Sequence, residues 1–160
     1  MAERKASESS VCAEAIMPLI AERLAAGYTV QNLNFQGQSM LPMLRQEKDF
    51  VEIKKLPGRL KKYDLPVYRN SHGKYVMHRV VGVRDSDYIC LGDNTYHYER
   101  VAPEQMVAVV CSFTRNGRRI SVENPWYRAY CRIWHVAFPV RYLLKRIEWK
   151  IRKTVKAIIE

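Results

Sequence analysis

A mainly β domain flanked by helices is the expectation for this chain, on three grounds. Seven short segments, 29–35, 50–53, 65–68, 75–83, 88–91, 107–113 and 118–122, are rich in Val, Ile, Tyr and Phe. Turn signals separate them: Pro57-Gly58, Ser71-His72-Gly73 and Asn116-Gly117, the last a strong hairpin signal. No helical pattern alternates with the strands, so antiparallel pairing is expected rather than a parallel sheet. With 160 residues, 48% of them hydrophobic, the chain suffices for one ordinary domain plus an appendage.

Residues 1–10 are polar and expected to fray. From Ser10 to about Ala26, Val11, Ala15, Ile16, Leu19, Ile20, Leu24 and Ala25 recur at three- and four-residue steps, and Gly27 is a stop signal. Pro18 lies among them. It has no amide proton and kinks a continuous helix, so a helix that begins at Pro18, after a separate turn or short helix, is expected. The strands follow. After Pro125 the character changes: Trp126–Phe138 is aromatic and helix-compatible, and Pro139 interrupts it. Val140, Leu144, Ile147, Ile151, Val155 and Ile158 then recur at spacings of 4, 3, 4, 4 and 3, one apolar stripe on a helix. Lys and Arg fill the other faces, with Tyr142 and Trp149 read as boundary residues. The chain thus divides into an N-terminal helical segment (1–28), a β domain (29–124) and a basic amphipathic tail (125–160).

The formal charge of +11 is uneven. From Arg115 onward 12 Lys and Arg stand against 3 acids, so the stretch from Arg115 to the end holds +9 of it. Such asymmetry calls for an anionic partner. For residues 140–158 two readings stand open: a helix lying in an anionic membrane interface, or one that packs its stripe on the β domain. Nucleic acid is the weaker option, because no nucleic-acid module accompanies the charge. The four cysteines are far apart and lack metal-ligand spacing, so no metal site is expected, and Cys90 and Cys111 read as small core residues. No stretch has the apolar length of a membrane span. The expected location is the cytoplasm, with the inner membrane surface as an option for the tail.

The residues that carry chemistry arrive in order. Gly37-Gln38-Ser39-Met40-Leu41-Pro42 sets a serine in a Pro-closed turn between strand-like segments. A serine hydroxyl needs a base within hydrogen-bond reach. His78, in Tyr75-Val76-Met77-His78-Arg79-Val80, supplies an imidazole, the side-chain type that can accept a proton near neutral pH. Asp93, in Leu91-Gly92-Asp93-Asn94, and Glu99 are the acids that compete to orient the imidazole. Gly37, Gln38, Met40 and Pro42 are the candidates for shaping the oxyanion and substrate site around Ser39.

Ser39-Met40-Leu41-Pro42, His78-Arg79-Val80 and Gly92-Asp93-Asn94 together resemble the signal peptidase clan, which includes the self-cleaving SOS repressors. The likeness covers about residues 35–110, with the three boxes in family order. It implies a mainly β, signal-peptidase-like fold, with Ser39 as nucleophile and His78 as general base. Bacterial enzymes and repressors use Lys as base; His resembles the archaeal and endoplasmic-reticulum branch. There an acid follows the Gly-Asp-Asn aspartate by about six residues, where Glu99 stands, so the third role stays open between Asp93 and Glu99. The family's two Gly-Asp pairs appear here as Lys48-Asp49 and Tyr63-Asp64. Gly37 replaces the hydroxyl that many bacterial members place two residues before the serine, which leaves the oxyanion to backbone amides. The usual N-terminal span has no counterpart in the sequence.

The resemblance implies a serine endopeptidase that removes a leader or signal segment from a peptide or small protein, with no cofactor. Two rivals remain: an inactive clan member that binds peptides or a membrane, and a self-cleaving regulator. The latter is disfavoured because the 38 residues before Ser39 are few for a DNA-binding domain.

Overall fold

A computed structural model describes residues 13–159. The order is α1 (Ala13–Ala25), β1 (Val30–Leu33), β2 (Phe50–Lys54), β3 (Pro66–Arg69), β4 (Tyr75–Met77), β5 (Arg79–Val83), β6 (Tyr88–Leu91), β7 (Glu99–Val101), β8 (Met106–Arg115), β9 (Arg118–Ser121), α2 (Pro125–Val136) and α3 (Phe138–Ile159). The fold is mainly antiparallel β with one N-terminal and two C-terminal helices, as expected. Strands fall into two sheets. One runs β1-β2-β8-β3-β4, with β9 also on β8; the other is β5-β6-β7.

Residues 1–10, expected to fray, and the expected start of the first helix at 10–12 lie outside the described residues. Three details differ from the expectation. The rest of that helix runs straight through Pro18 instead of starting there. Pro18 is exposed, while Met17, Ile20 and Leu24 are buried in the core. Burial of that apolar stripe offsets the one helical hydrogen bond that proline cannot make. The run 75–83 is not one strand. It pairs with β3 up to Met77 and with β6 from Arg79, so the chain changes sheets at His78. Its unbroken β-forming composition gave no sign of the break. Finally, Glu99–Val101 forms a strand too short and polar to read as one.

The β8–β9 hairpin turns at Asn116-Gly117, both at positive φ (50° and 74°), as a two-residue hairpin loop requires. The main core gathers Met17, Ile20 and Leu24 of α1, the sheet residues Val51, Ile53, Val67 and Phe113, and Met40, Met43 and Leu44 from the serine turn. A second core lies under the small sheet, around Tyr68, Val80, Cys90 and Val101. Cys90 is fully buried, while Cys111 is only half-buried, with its thiol on the Glu52 carbonyl at 3.4 Å.

Glu52 crosslinks the strands. It lies on β2, accepts from Ser112 of β8 at 2.6 Å and Gln31 of β1 at 3.1 Å, and pairs with Arg119 of β9. Those bonds, the Ser112 hydroxyl foremost, hold its carboxyl at about 2 against the opposing effect of burial.

α2 is tied to the β domain by its Tyr127–Cys131 face, which joins the main core. Asn124 caps it, accepting from the amides of Trp126 and Tyr127. α3 follows α2 end to end: the Ala137 amide donates to the Ile133 carbonyl, and the Arg141 amide to the Ala137 carbonyl. Its N-terminal end meets the domain, where Phe138 and Tyr142 pack on Tyr96 at centroid distances of 5.9 and 5.7 Å. The stripe Val140, Leu144, Ile147, Ile151 and Val155 does not pack on the β domain but is exposed. That excludes the packed-stripe reading for its described part. Tyr142 is not a boundary residue either, since its ring faces the domain. Among the described residues no helix is long and apolar enough to cross a membrane.

Candidate active site

Ser39 lies in a bend between β1 and β2. Its neighbours Met40, Met43 and Leu44 point into the core and fix the turn from beneath. The Leu41 amide donates to the Gln38 carbonyl at 3.2 Å, Leu44 to Met40 at 2.9 Å, and the Leu41–Pro42 bond is cis. Gly37 has φ 110°, a conformation that favours glycine, and its amide is held by the Gln46 side chain at 3.0 Å. Among the described residues, the amides of Gln38, Ser39 and Met40 make no hydrogen bond to the protein.

The Gly92-Asp93-Asn94 loop clamps this turn. The Asn94 amide donates to the Ser39 carbonyl at 2.7 Å, and the Asn94 side chain donates to the Gln38 carbonyl at 3.1 Å. Gly92 allows the approach: a Cβ there would lie 2.8 Å from the Ser39 carbonyl oxygen. Thr95 closes the loop by accepting from the Gly92 amide at 3.0 Å.

The two acids have different partners. Asp93 is buried and meets Arg79 through two parallel bonds of 2.9 and 2.7 Å. Arg79 is only 2% exposed and also donates to Tyr127 Oη and Cys131 Sγ of α2, each at 2.9 Å. Burial works against its charge, but the Asp93 carboxylate outweighs it and keeps the guanidinium ionised. The Asp93 carbonyl accepts from Trp134 Nε1 at 2.9 Å and from the Arg141 guanidinium. Asp93 therefore fixes the loop and the helices; no bond joins it to His78.

Glu99 meets the histidine. Its Oε1 lies 3.0 Å from His78 Nδ1. Tyr68 Oη donates to Glu99 Oε2 at 2.9 Å and lies 3.0 Å from the same Nδ1. An ionised carboxylate only accepts, and the one phenolic proton is already given to Glu99. Nδ1 must therefore carry the proton, which leaves Nε2 of the neutral ring as the acceptor. The hydrogen bond to His78, foremost, holds the Glu99 carboxyl below the usual carboxylate range despite burial. Burial raises the Tyr68 hydroxyl well above its ordinary value, so it stays a neutral donor. Tyr68 was missed from sequence, where it is one more aromatic residue in a strand.

A cleft of about 530 Å³ opens beside Ser39. Leu33 and Phe35 form one wall, Tyr75 and Met77 another, and Met40 and Leu44 lie at the serine turn. Gly37 also lines it, whereas Gln38 and Pro42 do not. β1 and β4, which bring these walls, are the two ends of the five-strand path of the larger sheet. His78 follows Met77 directly. No hydrogen bond joins Ser39 to His78 among the described residues. Asp49 and Tyr63 have local features of their own. Asp49 accepts from the Arg45 amide, Nε and Nη2 within 2.9 Å. Tyr63 carries φ 79°, in the left-handed region that favours glycine.

No family model matches this chain, and no curated protein or solved structure does either.

Proposed function

We propose that the chain is a serine endopeptidase of signal-peptidase type, which removes a leader segment from a peptide or small protein. The observation that carries this reading is the Glu99–His78 contact, with Tyr68 on the same Nδ1, on the residue that follows the wall of the Ser39 cleft. In this reading Ser39 Oγ attacks the scissile carbonyl while His78 Nε2 takes its proton. Glu99 stabilises the imidazolium that results. The oxyanion falls to free backbone amides at the serine turn. His78 then returns the proton to the leaving amine, and water, activated by the same imidazole, hydrolyses the acyl-serine.

The substrate lies extended between β1 and β4 in this reading, because edge strands carry the unpaired backbone groups that a peptide strand completes. The walls favour apolar side chains; small residues near the cut are what the family resemblance implies. A serine-reactive acylating probe, read by intact mass, tests the assignment. Wild type is labelled; Ser39→Ala and His78→Ala are not. Ser39→Ala leaves the fold intact, since removing one hydroxyl from a surface turn changes little. Labelling that persists in Ser39→Ala would overturn the nucleophile assignment.

One observation favours a second reading, a peptide-binding module without chemistry: Ser39 and His78 share no hydrogen bond. Catalytic hydrogen bonds often tighten only once substrate is bound, so the peptidase reading stands first. A folded wild type that binds apolar peptides but is never acylated would select the binding module.

A further inference from the structure

The outward face of α2 and α3 is apolar along its length. On α2, Trp126, Ile133 and Val136 are 85%, 68% and 75% exposed. On α3, Val140, Leu143, Leu144, Ile147 and Ile151 are exposed as well. Counted at 100° per residue, the α3 set spans about one third of the circumference. Ala137, the turn residue between the two helices, donates to the Ile133 carbonyl and accepts from the Arg141 amide. Within α3, from Val140 to Ile151, the apolar face runs about 17 Å at the helical rise. The opposite side is the one that faces the domain, through Tyr127, Cys131, Phe138 and Tyr142.

Cations border the apolar face. Arg128, Arg132, Arg146 and Lys150 are exposed along it, and Glu148 is the one acid between 125 and 151. A second copy of the chain would set these cations against one another. An anionic lipid surface complements them instead and takes up the apolar side chains together with the aromatic Trp126.

We propose that the α2–α3 face binds the surface of a bilayer containing anionic lipid, with the helices lying in the headgroup region. The wide apolar band, the flanking cations and the domain on the far side are what such a helix requires. The inference does not depend on the peptidase reading, because none of these residues lines the Ser39 cleft.

Co-sedimentation of the full chain with vesicles tests it. One vesicle set is phosphatidylcholine alone; the other carries about 30% phosphatidylglycerol, a strongly anionic surface. Binding to the anionic set is expected, weakening as salt screens the attraction. The double variant Ile147→Asn/Ile151→Asn removes apolar area from a helix segment that touches no core residue. It is expected to keep the wild-type melting curve and to bind about tenfold or more weakly. Binding to neither vesicle, equal binding to both, or unchanged binding by the variant overturns the proposal. So does light scattering that shows a dimer which the double variant disperses, since the second copy is then the occupant.

Discussion

The two acids that compete in the sequence are expected to fail in opposite ways when neutralised. In Glu99→Gln the side chain keeps its shape and can still accept hydrogen bonds, but the charge facing His78 Nδ1 at 3.0 Å is gone. At this separation two unit charges at an effective dielectric of 20 interact by about 5 kcal/mol, a ceiling for a carboxylate that is 28% exposed. A net hydrogen bond to a charged group contributes about 1.5–3 kcal/mol. That range corresponds to about a 10- to 150-fold slower acylation, with the imidazolium no longer stabilised. The fold should be little affected. Asp93→Asn instead leaves the Arg79 guanidinium buried without its counter-charge, at a cost of about 3–5 kcal/mol of stability. The assay pairs the labelling rate of the acylating probe with denaturant unfolding of each variant. If Glu99→Gln is acylated at the wild-type rate while a folded Asp93→Asn is slowed, Asp93 supports the base and the reasoning from contacts is refuted.

Three further outcomes are expected. Glu52 has a folded-state pKa of about 2 against an ordinary 4.5, so its contribution is fully present above the ordinary value and is lost as pH falls through about 2. The difference is worth about 3 kcal/mol. Denaturant unfolding of Glu52→Gln should therefore show a flatter acid dependence than wild type, and equal acid sensitivity would count against the crosslink. Gly92→Ala pushes a methyl group into the Ser39 carbonyl, 2.8 Å from the Cβ position, and should cost about 1–3 kcal/mol and slow acylation. Burial pushes the Cys90 thiol up to about 12, so peptide mapping should find it alkylated only after unfolding.

The strands were legible because Val, Ile, Tyr and Phe cluster between turn residues, and the β8–β9 hairpin because Asn116-Gly117 suits its turn. The β4–β5 break was not legible, since nothing local in Tyr75–Val83 says that the partner strand changes. Nor was the short polar strand Glu99–Val101, whose place comes from pairing with β6. At the candidate site, spacing placed both Asp93 and Glu99 after the histidine and had no means to choose. The choice rests on Arg79, the residue next to His78, which takes Asp93 and leaves Glu99 for the imidazole. Proline chemistry read Pro18 as a helix start, but packing of Met17 and Leu24 on the core outweighs one missing hydrogen bond. The stripe on α3 was plain in the sequence; that nothing in the described fold covers it was not.

The grip of α2 and α3 on residue 93 bears on where this protein can be cut. Trp134 and Arg141 hold the Asp93 carbonyl, and the next residue, Asn94, holds Ser39. A shortened version ending near residue 124 would keep every strand and every residue of the proposed relay. It would also expose the side of Arg79 that Tyr127 and Cys131 now cover, and release the loop that clamps the serine turn. For expression of the smallest working piece, the C-terminal boundary belongs after Arg141.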